Sequence, residues 1–327
     1  MELHKCRSVW GAFGVAIALA LPGGASAQGF PARPLSLVVP FAAGGPADVV
    51  GRLLGQRLAG SLGQAVVVDN RAGAGGTIGA GVVAKATPDG HTLLFVTAGH
   101  AGTGALYSGL PYDPVRDFAP VIGIADVPIV IAVSAASRFR TLQDLVAEAR
   151  ARPGKLNCAG GGGGATVTNL AFEAIKAELR LDIGAVPYKG SAPAVTALIA
   201  GEIDCDSDNL GGLLGQIAAG KLRALAVTTA KRSASLPQVP TVAESVVTGF
   251  EASAWFGILA PRATPTAVID RLNREFGAAL ADPGVQERMK AMAAEPKGGT
   301  PAEFGRFLES ETVRWSALIR RLNLKAD

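Results

Sequence analysis

Strand-like apolar runs alternate with helix-like segments along most of the 327-residue chain, and this alternation strongly constrains its fold. The strand-like runs occupy residues 35–40, 65–69, 91–97, 129–133, 155–159, 183–188, 203–205 and 222–228. The helix-like segments between them occupy residues 47–61, 77–86, 141–150, 166–177, 193–200 and 213–219. Such alternation is typical of βαβ units and predicts an α/β fold around a parallel sheet.

The C-terminal part of the chain departs from this alternation, because three helical segments follow one another at 265–280, 284–293 and 301–322. The last of them begins with Thr300 and Glu303 in the spacing of a capping box, with proline at its first helical position. Consecutive helices of this kind pack most simply onto a sheet that is already formed. We therefore expect them to complete the first half of the protein.

The order of these segments predicts two α/β lobes with a ligand cleft between them. We expect the chain to cross between the lobes near residues 121–130 and to return near residues 250–258. Lobe 1 would then comprise residues 28–125 and 253–327, and lobe 2 would comprise residues 126–252. A cleft between two lobes is a common place for a small-molecule site.

Residues 1–27 have the pattern of a secretory signal peptide. Lys5 and Arg7 precede an apolar run at 9–21, and Ala25 and Ala27 provide the small residues that a signal peptidase recognises. At 13 residues the run is shorter than the roughly 20 that a spanning helix needs, which weighs against an N-terminal membrane anchor. We expect cleavage after Ala27 and export to the periplasm.

Composition excludes several classes of protein. With 49% hydrophobic residues and a net charge of +4, the chain resembles neither a disordered protein nor a nucleic-acid-binding protein, which needs a clustered basic face. Three cysteines are too few for a disulfide framework. Cys158 and Cys205 lie in strand-like runs and are more typical of small core residues than of a disulfide, although export would permit one.

The sequence predicts neither a metal site nor a cofactor. His91 and His100 are the histidines that follow the leader, and we expect both in loops or at the surface. The chain contains no HExxH or CxxC spacing. Two glycine-rich segments approach nucleotide motifs, but Ile78 replaces the third glycine of a dinucleotide fingerprint and Leu222 replaces the Ser or Thr of a Walker A loop.

Four glycine-rich turns follow predicted strands and precede predicted helices, at residues 40–48, 97–102, 159–166 and 189–193. In parallel α/β lobes, such turns lie at the carboxyl edge of the sheet. Each helix start provides unpaired backbone N–H groups and the positive end of a helix dipole, and glycine allows a ligand to approach the backbone closely. The turns therefore predict a site for a small anion, with tight chain connections as the alternative role of these glycines.

Five motifs together resemble the Bug proteins, which are periplasmic solute receptors of tripartite tricarboxylate transporters. They are VVPFAAGGPAD at 38–48, DNRAGAGG at 69–76, LPYDPVRDF at 110–118, VPYKG at 186–190 and WFGILAP at 255–261. The resemblance implies a type II periplasmic binding protein, acting as a monomer, that closes on a small carboxylate or related metabolite. It also implies delivery of that ligand to membrane permease subunits.

The same resemblance implies a set of ligand-binding residues on both lobes. They are Phe41, Ala43, Gly44, Gly45, Thr97, Ala98, Gly162, Gly163, Thr166, Tyr188, Asp208 and Asn209. Asp208 would accept hydrogen bonds from a ligand amine or hydroxyl or bind a water molecule, with the capping of a turn as its alternative role. If Asp206 or Asp208 faces the cleft, a ligand with an amine or several hydroxyls is favoured over a simple tricarboxylate.

Two other functions fit the same fold. A periplasmic enzyme is disfavoured because the chain lacks a GxSxG nucleophile elbow and a metal-ligand cluster, and because neither His91 nor His100 lies near a credible nucleophile in the sequence. A receptor that reports its ligand to a membrane signalling partner, without transport, is compatible with every motif above.

Overall fold

The apolar run LSLVV at Leu35–Val39 forms a buried strand, β1, at the centre of the N-terminal half, as the sequence predicts. A computed structural model describes residues 29–41, 43–160, 166–188 and 190–324. The proposed signal peptide and the predicted site residues Gly162 and Gly163 lie outside the described residues. Contacts within the chain define a compact unit over Pro31–Asp327.

The first sheet has the strand order β2-β1-β3-β9-β4, and β10 also pairs with β4. Its strands are β1, β2 at Val66–Asn70, β3 at Thr92–Thr97, the N-terminal part of β4 at Phe118–Ser134, β9 at Ser253–Pro261 and β10 at Glu295–Gly298. The pairs β1–β2 and β1–β3 are parallel, whereas β9 is antiparallel to both β3 and β4. The predicted α/β fold with parallel βαβ pairs is present, but the sheet also contains antiparallel strands and is mixed.

The second sheet is built on the C-terminal part of β4. That part pairs antiparallel with β7 at Cys205–Asn209 and with β8 at Leu222–Val227. On the far side of β7 lie β5 at Asn157–Ala159 and β6 at Gly184–Ala185, both in parallel register. Because β4 changes partners between Pro128 and Ile129, one continuous strand belongs to both sheets.

Eleven α-helices occur within the described residues. They are α1 at Pro46–Leu62, α2 at Thr77–Ala84, α3 at Thr103–Leu106, α4 at Leu142–Ala151, α5 at Val167–Leu179, α6 at Ser191–Ala200, α7 at Leu210–Ala218, α8 at Val242–Ser245, α9 at Thr266–Leu280, α10 at Pro283–Ala291 and α11 at Pro301–Arg321. The predicted capping box at Thr300 is present, since its side chain accepts from the Glu303 amide. In the part of the chain that the structure describes, no helix combines the length and apolar character that a bilayer requires.

The C-terminal helices pack onto the first sheet, as predicted. α9 and α11 both contact β4, and α9 also packs against α1. Phe304 of α11 lies directly over Gly257 of β9, where an added Cβ would lie 2.1 Å from the ring. Glycine at this position is therefore what allows α11 to lie close to the sheet.

β7 continues beyond its predicted end. It was expected to end at Cys205, but it continues through Asp206, Ser207 and Asp208, which are all buried. A run of three polar residues suggests a loop, yet here it forms a strand because β4 and β5 flank it on both sides. The buried Ser207 hydroxyl is satisfied by donating to the Thr168 carbonyl at 3.1 Å.

The structure joins Cys158 and Cys205 in a disulfide, so the expectation that they are separate core residues is wrong. The two cysteines lie opposite each other in the parallel β5–β7 register, with their Cα atoms 4.6 Å apart. The sequence shows that each cysteine lies in a strand-like run, but it does not show that the two strands are neighbours in the sheet. That pairing brings the two sulfur atoms together.

Candidate functional site

A cavity of about 620 Å³ lies where strand ends from the two sheets face each other. Its lining comes from the turns after β1, β2, β3 and β5, from the residue after α3, from the end of β7 and from β9. The lining residues are Phe41, Ala43, Gly45, Pro46, Ala47, Gly75, Thr97, Ala98, Gly99, Tyr107, Thr166, Val167, Asn209, Ala254, Trp255 and Phe256. Among these described residues, none has a charged side chain.

Three α-helices begin at this cavity. The N-cap residues of α1, α5 and α7 are Gly45, Thr166 and Asn209, and all three line it. Helix α1 belongs to the first half of the chain, whereas α5 and α7 follow strands of the second sheet. The positive ends of three helix dipoles and their unpaired N–H groups thus meet at one place, which favours a negatively charged ligand.

The loop before α1 is held by a network centred on the buried Asp48 carboxylate. Arg52 donates to Asp48 at 3.0 Å, and the Asn70 amide donates to both Asp48 Oδ1 at 3.0 Å and the Phe41 carbonyl at 3.1 Å. The Gly44 N–H also donates to Asp48 at 2.9 Å. The Arg52 hydrogen bond is the main cause that lowers the pKa of Asp48 to about 2. The carboxylate therefore stays ionised and fixes the loop that carries Phe41.

The start of α5 is fixed by two threonine hydroxyls. Thr166 accepts from the Asn169 amide as the N-cap and donates to the Gly160 carbonyl at 3.0 Å. Thr168 donates to the same carbonyl at 2.9 Å. Because the Thr166 hydroxyl already makes these hydrogen bonds within the protein, Thr166 serves the cavity by fixing the position of the α5 N-terminus.

Asn209 is the N-cap of α7, but its side chain makes no capping hydrogen bond. Asparagine is favoured at this position because its side-chain oxygen normally accepts from the first turn. Here Asn209 Oδ1 is buried without a hydrogen-bond partner among the described residues. Since Asn209 also lines the cavity and its Nδ2 donates to no group among the described residues, this N–H₂ group is available to donate to an anionic ligand.

Seven of the predicted site residues line the cavity, and the others that are described do not. The seven are Phe41, Ala43, Gly45, Thr97, Ala98, Thr166 and Asn209. Gly44 lies in the loop beneath, and Tyr188 packs against the apolar core of the second sheet. Asp208 is 1% exposed and is absent from the lining, as is Asp206. Burial raises the pKa of the Asp208 carboxyl, which also accepts from the Asn209 amide at 2.6 Å.

The sequence prediction did not include most of the apolar wall. Tyr107 follows α3, and Trp255 and Phe256 come from β9. The WFGILAP motif signalled a strand near the crossing, but nothing in one sequence indicates that this strand forms the back of the cavity. Tyr107 has no motif around it, and it is placed by Gly75, whose missing side chain leaves room for the tyrosine hydroxyl.

Trp255 is held in the cavity wall from behind by a buried carboxylate. Its indole N–H donates to Glu311 Oε2 at 3.0 Å, and the Trp315 indole donates to the same oxygen at 2.8 Å. Phe304 and Phe307 pack edge-on against the Trp255 ring. Helix α11 therefore fixes the orientation of a residue that faces the ligand cavity.

His100 anchors the turn after β3 and His91 lies in the bend before that strand, so both are in connecting segments as expected, but they are buried there and not at the surface. His100 Nε2 lies 2.7 Å from the Pro114 carbonyl, and Phe118 packs edge-on against the ring. Burial is the main cause that lowers the pKa of His100 to about 4. A neutral imidazole that donates to this carbonyl therefore ties the 110–118 motif to the cavity turn.

This histidine predicts a loss of stability in acid. The pKa of His100 is about 4 in the folded state and 6.5 as its ordinary value, so the unfolded chain binds the proton first. As pH falls from 7 towards 4, the free energy of unfolding should decrease by about 3 kcal/mol through this group. Urea unfolding at several pH values would measure the slope, and His100→Gln should flatten it. An unchanged slope in the variant would contradict the assignment.

The chain matches a protein-family model and is similar to known relatives and solved structures. Residues 50–324 match the family model described as "Tripartite tricarboxylate transporter family receptor". BugT of Bordetella pertussis is 38% identical over 331 residues, which cover 99% of each chain. R. palustris Rpa4515, solved with adipate, is 39% identical with a TM-score of 0.79, covering 90% of this chain and 99% of its own. MatC from Rhodopseudomonas palustris, solved with bound malate, is 33% identical with a TM-score of 0.76, covering 89% and 100%.

The α/β fold with a cavity between strand ends of two sheets is that of a two-lobed periplasmic solute-binding protein. Within that class, the chain belongs to the tripartite tricarboxylate transporter receptor family. The resemblance to the Bug proteins found in the sequence is thereby confirmed.

Proposed function

We propose that the protein is a non-catalytic receptor for a small carboxylate, which it delivers to the membrane permease of a tripartite tricarboxylate-type transporter. The observation that carries this proposal is the convergence of the α1, α5 and α7 N-termini on one cavity. The relatives solved with adipate and with malate support a carboxylate as the ligand.

Energetics are consistent with binding by helix termini alone. A hydrogen bond to a charged group contributes about 1.5–3 kcal/mol, and a helix terminus contributes about 0.3–1 kcal/mol more. At the middle of these ranges, four or five such contacts exceed the roughly 8 kcal/mol of micromolar affinity before ordering costs are subtracted. A cationic side chain is therefore not required for this receptor to bind an anion.

We also propose that the protein is periplasmic and that its two lobes meet near residues 125 and 253. Residues 1–27 would direct export and be removed, so that the periplasmic protein begins at Gln28. The boundaries near residues 125 and 253 are supported by the pairing of β4, which changes partners after Pro128 in the register Pro128↔Ser253. N-terminal sequencing of protein recovered from the periplasm would test the cleavage site.

The function is tested by calorimetry with succinate, adipate, malate and citrate, and with glucose and choline as neutral and cationic controls. Binding of at least one carboxylate, without binding of the controls, supports the proposal. Binding of glucose or choline alone would overturn it. An uptake assay in a strain that lacks the receptor gene separates transport from signalling, because a purely signalling receptor leaves uptake intact.

Asn209→Ala is expected to weaken carboxylate binding about ten-fold. The Asn209 carboxamide lines the cavity and makes no capping bond, so its removal deletes a hydrogen bond to the ligand at little cost to α7. Asn209→Asp should weaken binding further, because it places a like charge beside the anion. Gln216→Ala, on the same helix but outside the cavity lining, is the matched control. Equal affinities in all three variants would show that Asn209 does not contact the ligand.

A further inference from the structure

We propose that this receptor selects carboxylates with an unsubstituted hydrocarbon body over hydroxylated acids of the same length and charge. The inference rests on the proposed carboxylate function and names the part of the ligand that determines specificity. It follows from the walls of the cavity, since the N-termini of helices recognise only the charged end of a ligand.

The walls are predominantly apolar. Four aromatic residues, Phe41, Tyr107, Trp255 and Phe256, line the cavity together with several alanines and Pro46. Trp255 and Phe256 are 0% and 8% exposed and form the fixed back of the cavity. Phe41 and Tyr107 remain partly exposed, so a ligand with an apolar body can cover them and remove further apolar surface from water.

Among the described lining residues, four have polar side chains, and one of these is already hydrogen-bonded within the protein. They are Thr97, Tyr107, Thr166 and Asn209. The Thr166 hydroxyl is bonded to the Gly160 carbonyl and caps α5. A hydroxyl group that leaves water without gaining a partner loses free energy, so a polyhydroxylated acid binds poorly against such walls.

The two acidic residues that could have served ligand hydroxyls or amines lie elsewhere. Asp206 and Asp208 are 0% and 1% exposed, and neither is in the cavity lining. Strand β7 directs alternate side chains to opposite faces, so these two share one face and Asn209 lies on the other. The burial of Asp208 close to Ser191 of α6 agrees with this arrangement. The sequence favoured a ligand with an amine or several hydroxyls only if Asp206 or Asp208 faced the cleft, and neither residue does.

The experiment uses matched pairs of acids and the full mature protein. Adipate and galactarate have the same six-carbon chain and two carboxylates, but galactarate carries four hydroxyls; succinate and tartrate form the corresponding four-carbon pair. Calorimetry should show the unsubstituted acid binding at least ten-fold more tightly in each pair, with a more negative heat-capacity change. Equal affinity within both pairs, or tighter binding of the hydroxylated acids, would overturn the inference while leaving the carboxylate receptor intact. Binding of none of the four acids would also overturn the inference. In that case, the calorimetry panel with glucose and choline tests whether the proposed carboxylate function holds.

Variants of the aromatic wall provide an independent readout. Phe41→Ala should weaken adipate binding about ten-fold, because it removes a ring that the hydrocarbon chain covers. Val49→Ala removes a 41%-exposed apolar side chain of α1 outside the cavity lining and is the control. If a correctly folded Phe41→Ala protein binds adipate like the wild type, the apolar wall is not the source of selectivity and the inference is overturned.

Discussion

Replacing Cys158 and Cys205 together by alanine is expected to lower the free energy of unfolding by about 4 kcal/mol. The disulfide closes a loop with a sequence separation of 47, and a cross-link of that length removes conformational entropy of this size from the unfolded chain. Both sulfur atoms are buried between neighbouring strands, so alanine also leaves a small void. Urea unfolding under oxidising conditions, followed by circular dichroism, measures the difference.

Reductant provides the control for this prediction. Dithiothreitol added during unfolding should destabilise the wild type towards the variant, and it should leave the double-alanine protein unchanged. A difference below about 1 kcal/mol between oxidised wild type and variant would contradict the predicted stabilisation. The disulfide also joins β5 to β7, the strands that lead to the α5 and α7 N-termini, so we expect the variant to bind carboxylates more weakly as well.

Glu311→Leu is expected to destabilise the protein by about 3–5 kcal/mol. Two buried indole N–H groups, from Trp255 and Trp315, donate to one oxygen of this carboxylate. Each buried donor left without a partner costs about 1–3 kcal/mol, and leucine can accept from neither. Because Trp255 lines the cavity, ligand affinity should fall together with stability.

Glu311→Gln is the matched control, because its side-chain carbonyl can accept from both indoles. It should cost less than about 1.5 kcal/mol, since the acceptor is kept and only the charge is lost. Trp255 and Trp315 are the two tryptophans after the proposed leader, so their fluorescence reports this site in both variants. If leucine and glutamine variants unfold at the same urea concentration, the two indole hydrogen bonds do not contribute as the structure indicates.

Local sequence signals predicted most elements of the fold. Strong apolar runs such as Leu35–Val39, and helices with clear caps such as α4 and α11, lie where the sequence placed them. The errors occur where tertiary contacts overrule local character. The polar run at β7 forms a strand because it lies between β4 and β5, and β10 has the unpromising sequence EPKG yet pairs with β4.

The candidate site was predictable to the extent that it consists of helix starts. Glycine-rich turns identified Gly45, Thr97 and Thr166, and the family resemblance added Asn209. None of the described residues 190–193 of the fourth predicted turn, before α6, lies in the cavity lining, whereas the start of α7 does. Which helix start reaches the cavity depends on strand order, and strand order is a property of the assembled sheet.

The two connections between the sheets lie side by side, since β4 is paired with the returning β9 in the register Val127↔Ala254 and Pro128↔Ser253. Two hydrogen-bonded antiparallel strands of this kind can bend together about one axis, whereas their hydrogen bonds resist sliding and twisting of one strand against the other. We therefore expect opening and closing of the two lobes to be a rotation about this pair of strands, which would bring the α1 terminus and the α5 and α7 termini back to the same alignment on each closure.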